Sequence, residues 1–274
     1  MAGTSFDRDI ARKPVSPGIY DVHISESWNV VVGPNGGYIA AIMLSAIQDE
    51  CGGTPARTVT WHFLTPCKPG SARVEVQVEK RGRSLTTCTA RLRQDSRIIC
   101  LALATLGPVR EGIDIAFDDH PVPRLSPPDE VEEDKRMGPG HSLYVPFRDH
   151  YDQRLAIGPV PPGICGDGRV GGWTRFRDPR PFDDPAVAAI ADSWYPGLLV
   201  RELPVRMHAP TVEYTVHFVG SASPPPTGPD DFLMVEFVTS QAQDGYLLED
   251  GWIRRADGGL IARSRQMAVM VKWT

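Results

Sequence analysis

The sequence predicts an α+β protein made by tandem duplication of one unit, a helix followed by an antiparallel sheet. Three observations lead there. Short phrases recur in the same order: "AAIMLS" (40–45) returns as "AAIADS" (188–193), "TVTWHFLTP" (58–66) as "EYTVHFVGS" (213–221), and "QDSRIICLALAT" (94–105) as "ADGGLIARSRQM" (256–267). The offsets grow along the chain, 148, 155 and 162, as expected where the second copy has longer loops such as "SASPPPTGPDD". Each copy also pairs an apolar helical stretch with segments of period-two alternation, and a stretch without periodicity separates the copies.

In copy one, "GGYIAAIMLSAIQ" carries Ile39, Ile42, Met43, Ala46 and Ile47 at helical spacing, which predicts a helix with one buried face; Gly36 and Gly37 mark its start. Four strands follow. "RTVTWHFLTP" ends at a Pro/Gly turn. "ARVEVQVEK" alternates Val74, Val76 and Val78 against Glu75, Gln77 and Glu79. "SLTTCTARLRQ" alternates Cys88, Ala90 and Leu92 against Thr89, Arg91 and Arg93, and "RIICLALATLG" is nearly all apolar. "Arg-Gly-Arg" and "Asp-Ser-Arg" supply the hairpin turns. One face of such a meander must be covered, and one helix can cover it.

Copy two opens with "VPFRDHYDQRL", where Phe147, His150 and Tyr151 suggest a strand, and "GRVGGWTRF". A short helix over "DPAVAAIADSW" has Asp184 as candidate N-cap and Pro185 in the first turn. A second meander follows. Between the copies "DDHPVPRLSPPDEVEEDKRMGPG" is rich in Pro and charge and reads as a surface linker. The expected organisation is copy one in 1–115, a linker in 116–143 and copy two in 144–274.

Composition narrows the function. A net charge of −5 and the lack of a basic run argue against nucleic acid. The N-terminal "MAGTSFDRDIARKPVSPG" has no apolar signal region, no apolar run is long enough to span a bilayer, and "VKWT" is not a peroxisomal address, so cytoplasm is the expected location. Five cysteines without CxxC spacing read as thiols in a reducing compartment, and the dispersed histidines form no metal motif.

A helix wrapped by an antiparallel sheet, written twice, resembles the double hotdog fold, and the chain resembles the type II (double hotdog) acyl-CoA thioesterases over most of its length. "GPNGGYIAAIML", "RTVTWHFLTPCKPGSARVEVQVEKRGRSLTT" and "YDQRLAIGP" are similar to that family's first half and junction; "AIADSWYP", "PTVEYTVHF" and "ARSRQMAVM" are similar to its active half. The resemblance implies an acyl-CoA or other acyl-thioester substrate, no cofactor and a homo-oligomer.

Positions that turn polar in one copy only are where chemistry is expected. Asp192 falls on Leu44, Thr211 on Ala56 and Gln266 on Ala104. In the family an Asp on the helix, a Thr or Ser on the next strand and a Gln on the last strand hold the attacking water, which gives Asp192, Thr211 and Gln266 here. An Asp can orient a water and take its proton, and two hydrogen-bonding neighbours reduce the orientational entropy of attack. The absence of a GxSxG elbow agrees with direct attack, without a covalent intermediate. Asn35, Gly36 and Gly37 of copy one are expected to face these residues, with backbone N–H groups at the helix start meeting the developing oxyanion. The family more often has Gln where this chain has Tyr38.

Other readings are a hotdog hydratase or dehydratase, for which His208 is the convenient partner, and a non-catalytic acyl-thioester binding protein. His62 and His217, repeated in both copies, fit packing or the sheet surface. Trp61, Trp173, Trp194 and Trp252 fit core filling or an acyl tunnel.

Overall fold

The alternating segments become strands of one continuous sheet that encloses the helices. The computed structural model describes residues 3–113, 115–134, 144–220 and 231–272. Copy one contains α1 (Ser5–Asp9), β1 (Arg12–Ser16), β2 (Ile19–Ile24), α2 (Gly36–Glu50), β3 (Ala56–Phe63), β4 (Gly70–Arg81), β5 (Thr86–Gln94) and β6 (Arg97–Leu106). Copy two contains β7 (Tyr151–Ile157), β8 (Arg169–Phe176), α3 (Asp184–Ile190), β9 (Met207–His208), β10 (Thr211–Phe218), β11 (Leu233–Gln243), β12 (Tyr246–Arg254), β13 (Leu260–Val269) and β14 (Val271–Lys272). The long loop expected after Gly220 lies in 221–230, outside the described residues.

Twelve strands pair in the order β1-β2-β4-β5-β6-β3-β10-β13-β12-β11-β8-β7, a sequence that reads equivalently from either end. The centre is the antiparallel β3–β10 pair, where Thr60 opposes Thr215 and their hydroxyls are hydrogen-bonded at 2.8 Å. Side chains alternate across a strand, so the inner face takes the apolar set. Val74 and Val76, and Cys88, Ala90 and Leu92, are buried on it, while His62 and His217 lie exposed on the outer face.

Register supports the duplication position by position. Val59 opposes Ala104 in copy one as Tyr214 opposes Gln266 in copy two, and Ala56 opposes Leu106 as Thr211 opposes Ala268.

Four elements differ from the sequence reading. The β1–β2 hairpin of copy one was not expected; it is the counterpart of β7–β8. Phe147 and His150 belong to a 3₁₀ turn over Pro146–His150, and the strand starts at Tyr151, because Pro146 cannot donate to a ladder. The α3 cap is Asp183, whose side chain accepts from Ala186 N. Asp184 instead accepts from Gln48 Nε2 at 2.7 Å and from Ala56 N at 2.8 Å, tying α3 to α2 and β3. Finally, α2 buries every residue from Gly37 to Ile47 rather than one face, because α3 packs on the side the sheet leaves open.

The described part of the linker, residues 116–134, runs over the outer face of copy two's sheet as an anchored strap. His120 stacks on Trp252 with ring centroids 3.9 Å apart, Asp118 pairs with Arg254, and Ser126 O accepts from Trp173 Nε1 at 2.9 Å.

Candidate active site

Asp192 lies just past the C-terminal end of α3, in a turn where Asp192 N donates to Ala189 O and Ser193 N to Ile190 O. The corresponding helix in copy one runs on to Glu50. The early stop in copy two places Asp192 against the N-terminal turn of α2, where backbone donors have no intrahelical partner.

Three donors converge on its carboxylate. Gly37 N donates to Oδ2 at 2.7 Å and Asn35 Nδ2 to the same oxygen at 3.0 Å, while Gln266 Nε2 donates to Oδ1 at 2.8 Å. Thr211 Oγ1 in turn donates to Gln266 Oε1 at 2.7 Å. A carboxylate only accepts, so this chain fixes the orientation of the Gln266 amide, with nitrogen toward Asp192 and oxygen toward Thr211. Gln266 is 7% exposed. It is therefore a buried amide that is satisfied structurally while still bordering open space: Asp192, Thr211 and Gln266 line one cavity of about 70 Å³.

Burial dominates the electrostatics. It pushes the Asp192 carboxyl up from 3.8 to about 6, against the opposing pull of Gln266, Gly37 and Asn35. An acid with that value is ionised at neutral pH and still basic enough to take a proton.

The glycines in "NGGY" have a steric cause. A Cβ at Gly37 would lie 2.8 Å from Ala189 O and 2.8 Å from Asp192 Cβ, and one at Gly36 would lie 3.1 Å from Asp192 Oδ2. They let the α2 start approach Asp192 closely. The expectation that the Gly37 N–H is open to a substrate carbonyl does not hold, because Asp192 Oδ2 occupies it. Gly36 N–H bonds nothing among the described residues. Asn35 caps α2 by accepting from Tyr38 N at 3.0 Å, and Tyr38 turns away from the site to stack on Trp28.

One further residue of this region was not found from sequence: Glu249, 7% exposed, borders the same cavity. Of the four tryptophans singled out in the sequence, Trp194 borders that cavity too, Trp61 lies in the core, and Trp173 and Trp252 contact the strap. His208, the partner a hydratase would use, is not part of the cavity wall. Extending the duplication to β5 and β12 would have found Glu249, since it occupies the position of Cys88: each opposes the residue pair Ala104/Gln266.

Two helix-and-sheet units joined into one sheet, with a polar site where the α2 start of copy one meets Asp192, Thr211 and Gln266 of copy two, define a double-hotdog protein. Residues 24–107 match the acyl-CoA thioesterase N-terminal domain and residues 123–270, more than half of the chain, the acyl-CoA thioesterase C-terminal domain. The chain belongs to this acyl-CoA thioesterase family. A hot dog fold protein of unknown function from Alicyclobacillus acidocaldarius superposes with a TM-score of 0.87 at 25% identity, covering 100% of both chains. A structure described as a putative thioesterase II from Thermobifida fusca gives 0.83 at 22%, covering 99% of both chains. An uncharacterized protein of Mycobacterium tuberculosis is 26% identical over 92% of this chain and 91% of its own length. No helix among the described residues is long and apolar enough to cross a membrane.

Proposed function

We propose that the protein hydrolyses acyl-CoA-type thioesters to a free acid and a thiol, using a water held by Asp192, Thr211 and Gln266 and no covalent intermediate. The observation that carries this reading is the Thr211–Gln266–Asp192 hydrogen-bond chain along the wall of one cavity. Family membership supports the thioester as substrate.

The chemistry follows from the free valences of that chain. Asp192 Oδ1 has one acceptor site left beside Gln266 Nε2, and Thr211 Oγ1 retains its lone pairs. A water donating to both aims its own lone pair outward, toward a thioester carbonyl. As its oxygen attacks, Asp192 takes the proton. The carbonyl oxygen gains charge, and Gly36, which lies beside Asp192 Oδ2 and whose N–H bonds nothing among the described residues, would supply a donor for it. Collapse of the intermediate breaks the C–S bond and releases acid and thiol.

Thiol release from a series of acyl-CoAs by the wild type and by Asp192→Asn tests this. The expected result is release by the wild type, with turnover in the variant lowered at least ~10²-fold, the usual scale of general-base catalysis. Near-normal hydrolysis by the variant would refute the assignment. Substrate binding without thiol release by the wild type would leave a binding protein instead.

A further inference from the structure

The lopsided duplication reaches beyond the three residues already described. In β12 the Cα partner of Gln266 is Glu249, and the same pair in copy one is Ala104 and Cys88. One strand further out, Thr239 opposes Glu249 where Val78 opposes Cys88. Copy two thus has a hydroxyl and a carboxyl in place of two apolar side chains, deep in the sheet's inner face.

No cation bonds Glu249 among the described residues. Its Oε2 accepts from Gly197 N at 2.7 Å and from Thr239 Oγ1 at 2.6 Å, while Oε1 accepts nothing among the described residues. With both sites of Oε2 facing donors, a proton on this carboxyl resides on Oε1. Glu249 and Asp192 line the same cavity, with Trp194, Leu247 and Ala268 among the apolar residues of its wall. Burial pushes Glu249 up from 4.5 to about 7; Thr239 and Gly197 pull it down, and Asp192 and Asp250 push it up. Asp250, next along β12, is paired with Arg265 and Arg263. Asp192 is therefore the negative group that shares the cavity. The two acids have different surroundings: donors hold both oxygens of Asp192, whereas one oxygen of Glu249 is held and the other is left over.

We propose, resting on the thioester-hydrolysis reading above, that Glu249 is the general acid of the reaction and delivers its Oε1 proton to the departing sulfur. Gly36 lies on the Oδ2 side of Asp192, and Glu249 lies across from Gln266 on the Oδ1 side. A thioester carbon that meets the water at Asp192 Oδ1 inside this cavity has Glu249 on the same lining to receive its C–S bond. The balance closes. Water forms the new C–O bond and gives one proton to Asp192. The C–S bond then breaks with its electron pair on sulfur, and the Glu249 Oε1–H proton goes to that sulfur. The protein is left with protonated Asp192 and ionised Glu249, and a cavity water returns the proton from the first to the second.

Glu249→Gln keeps an oxygen for Gly197 and Thr239 but cannot release a proton at neutral pH. Two thioesters of one acyl group, the CoA ester and the 4-nitrothiophenyl ester, separate an acid from a structural residue, because a thiolate that leaves readily needs no proton. For the CoA ester the variant is expected to lose ~10²-fold or more in kcat/KM, the scale of general-acid catalysis. For the aryl ester the loss is expected to stay within about 5-fold, since only the proton transfer is removed. The decline of wild-type CoA-ester rates above pH ~7 is expected to vanish in the variant. The double variant Thr239→Val/Glu249→Cys, which installs the copy-one pair, is expected to show the same split if the Gln variant folds poorly. Equal losses on both esters, or no loss on either, would overturn the proposal. Asp192→Asn run in parallel keeps the two readings apart. If it is inactive on both esters while Glu249→Gln is unaffected, only the general acid fails; if it stays active, the water-activation reading fails as well.

Discussion

Replacing Asp192 by Asn gives a counterintuitive expectation for stability. The carboxylate accepts three hydrogen bonds, from Gly37 N, Asn35 Nδ2 and Gln266 Nε2, so its loss would ordinarily be costly. An amide can reproduce the pattern. Its carbonyl oxygen takes the place of Oδ2 beneath Gly37 and Asn35, and its nitrogen points at Gln266. Gln266 then turns its own amide over, presenting Oε1 to the introduced nitrogen and Nε2 to the Thr211 hydroxyl, which accepts as well as donates. What disappears is the buried charge. Because the folded-state value of Asp192 is raised from 3.8 to about 6, its favourable contribution is complete below pH ~4 and is lost as pH rises through ~6. At 1.36 kcal/mol per pH unit, the wild type forgoes about 3 kcal/mol by pH 8 that the variant keeps. Denaturant unfolding of both proteins at pH 4 and pH 8 measures this. The stability of Asp192→Asn relative to wild type is expected to rise by about 2.4 kcal/mol between those pH values, or several degrees in Tm for a chain of this size, with activity lost throughout. A difference that is the same at both pH values, or that falls toward pH 8, would show that Asp192 ionises without penalty and would remove the basis for its action as a base.

Three further outcomes follow from the geometry. Wild-type kcat/KM is expected to fall about tenfold per pH unit below pH ~6, as Asp192 gains a proton, and a pH–rate profile that stays flat to pH 4.5 would contradict its role. Thr211→Val leaves Gln266 Oε1 without its donor; thiol-release assays are expected to show kcat lowered roughly 10- to 100-fold, as misorientation of a held water predicts, with Thr211→Ser restoring most of it. Gly37→Ala places a methyl group 2.8 Å from both Ala189 O and Asp192 Cβ. Thermal melts are expected to show a loss of about 1–3 kcal/mol from overpacking, and activity should fall as Asp192 is pushed off its Gly37 bond; an unchanged melt would mean that the helices separate freely.

The fold was legible because its pattern is written twice and each half needs the same inner face. Val74, Val76, Cys88, Ala90 and Leu92 could be assigned from alternation alone. Asp192, Thr211 and Gln266 were legible for a related reason: each stands where the twin position is apolar, and the structure brings the three into one hydrogen-bonded chain. The full burial of α2 was not legible, since the helix that covers its second side is about 150 residues away in the sequence. Neither was the use of the Gly37 N–H, which depends on how closely α3 approaches α2, a distance that a glycine permits without revealing what fills it. Glu249 escaped because β5 and β12 share no phrase; only their pairing register aligns Cys88 with it. The β1–β2 hairpin escaped because β1 is a largely exposed edge strand with Pro14 within it, which weakens strand character.

The most direct test of water activation at Asp192 is a single turnover in ¹⁸O-enriched water with protein in excess over acyl-CoA, followed by mass spectrometry of the released acid and of the peptide containing Asp192. If the held water attacks the thioester itself, the acid carries one ¹⁸O after that first turnover and the peptide carries none. Label in the Asp192 carboxylate, with unlabelled acid, would mean that Asp192 attacks as a nucleophile and would contradict the account.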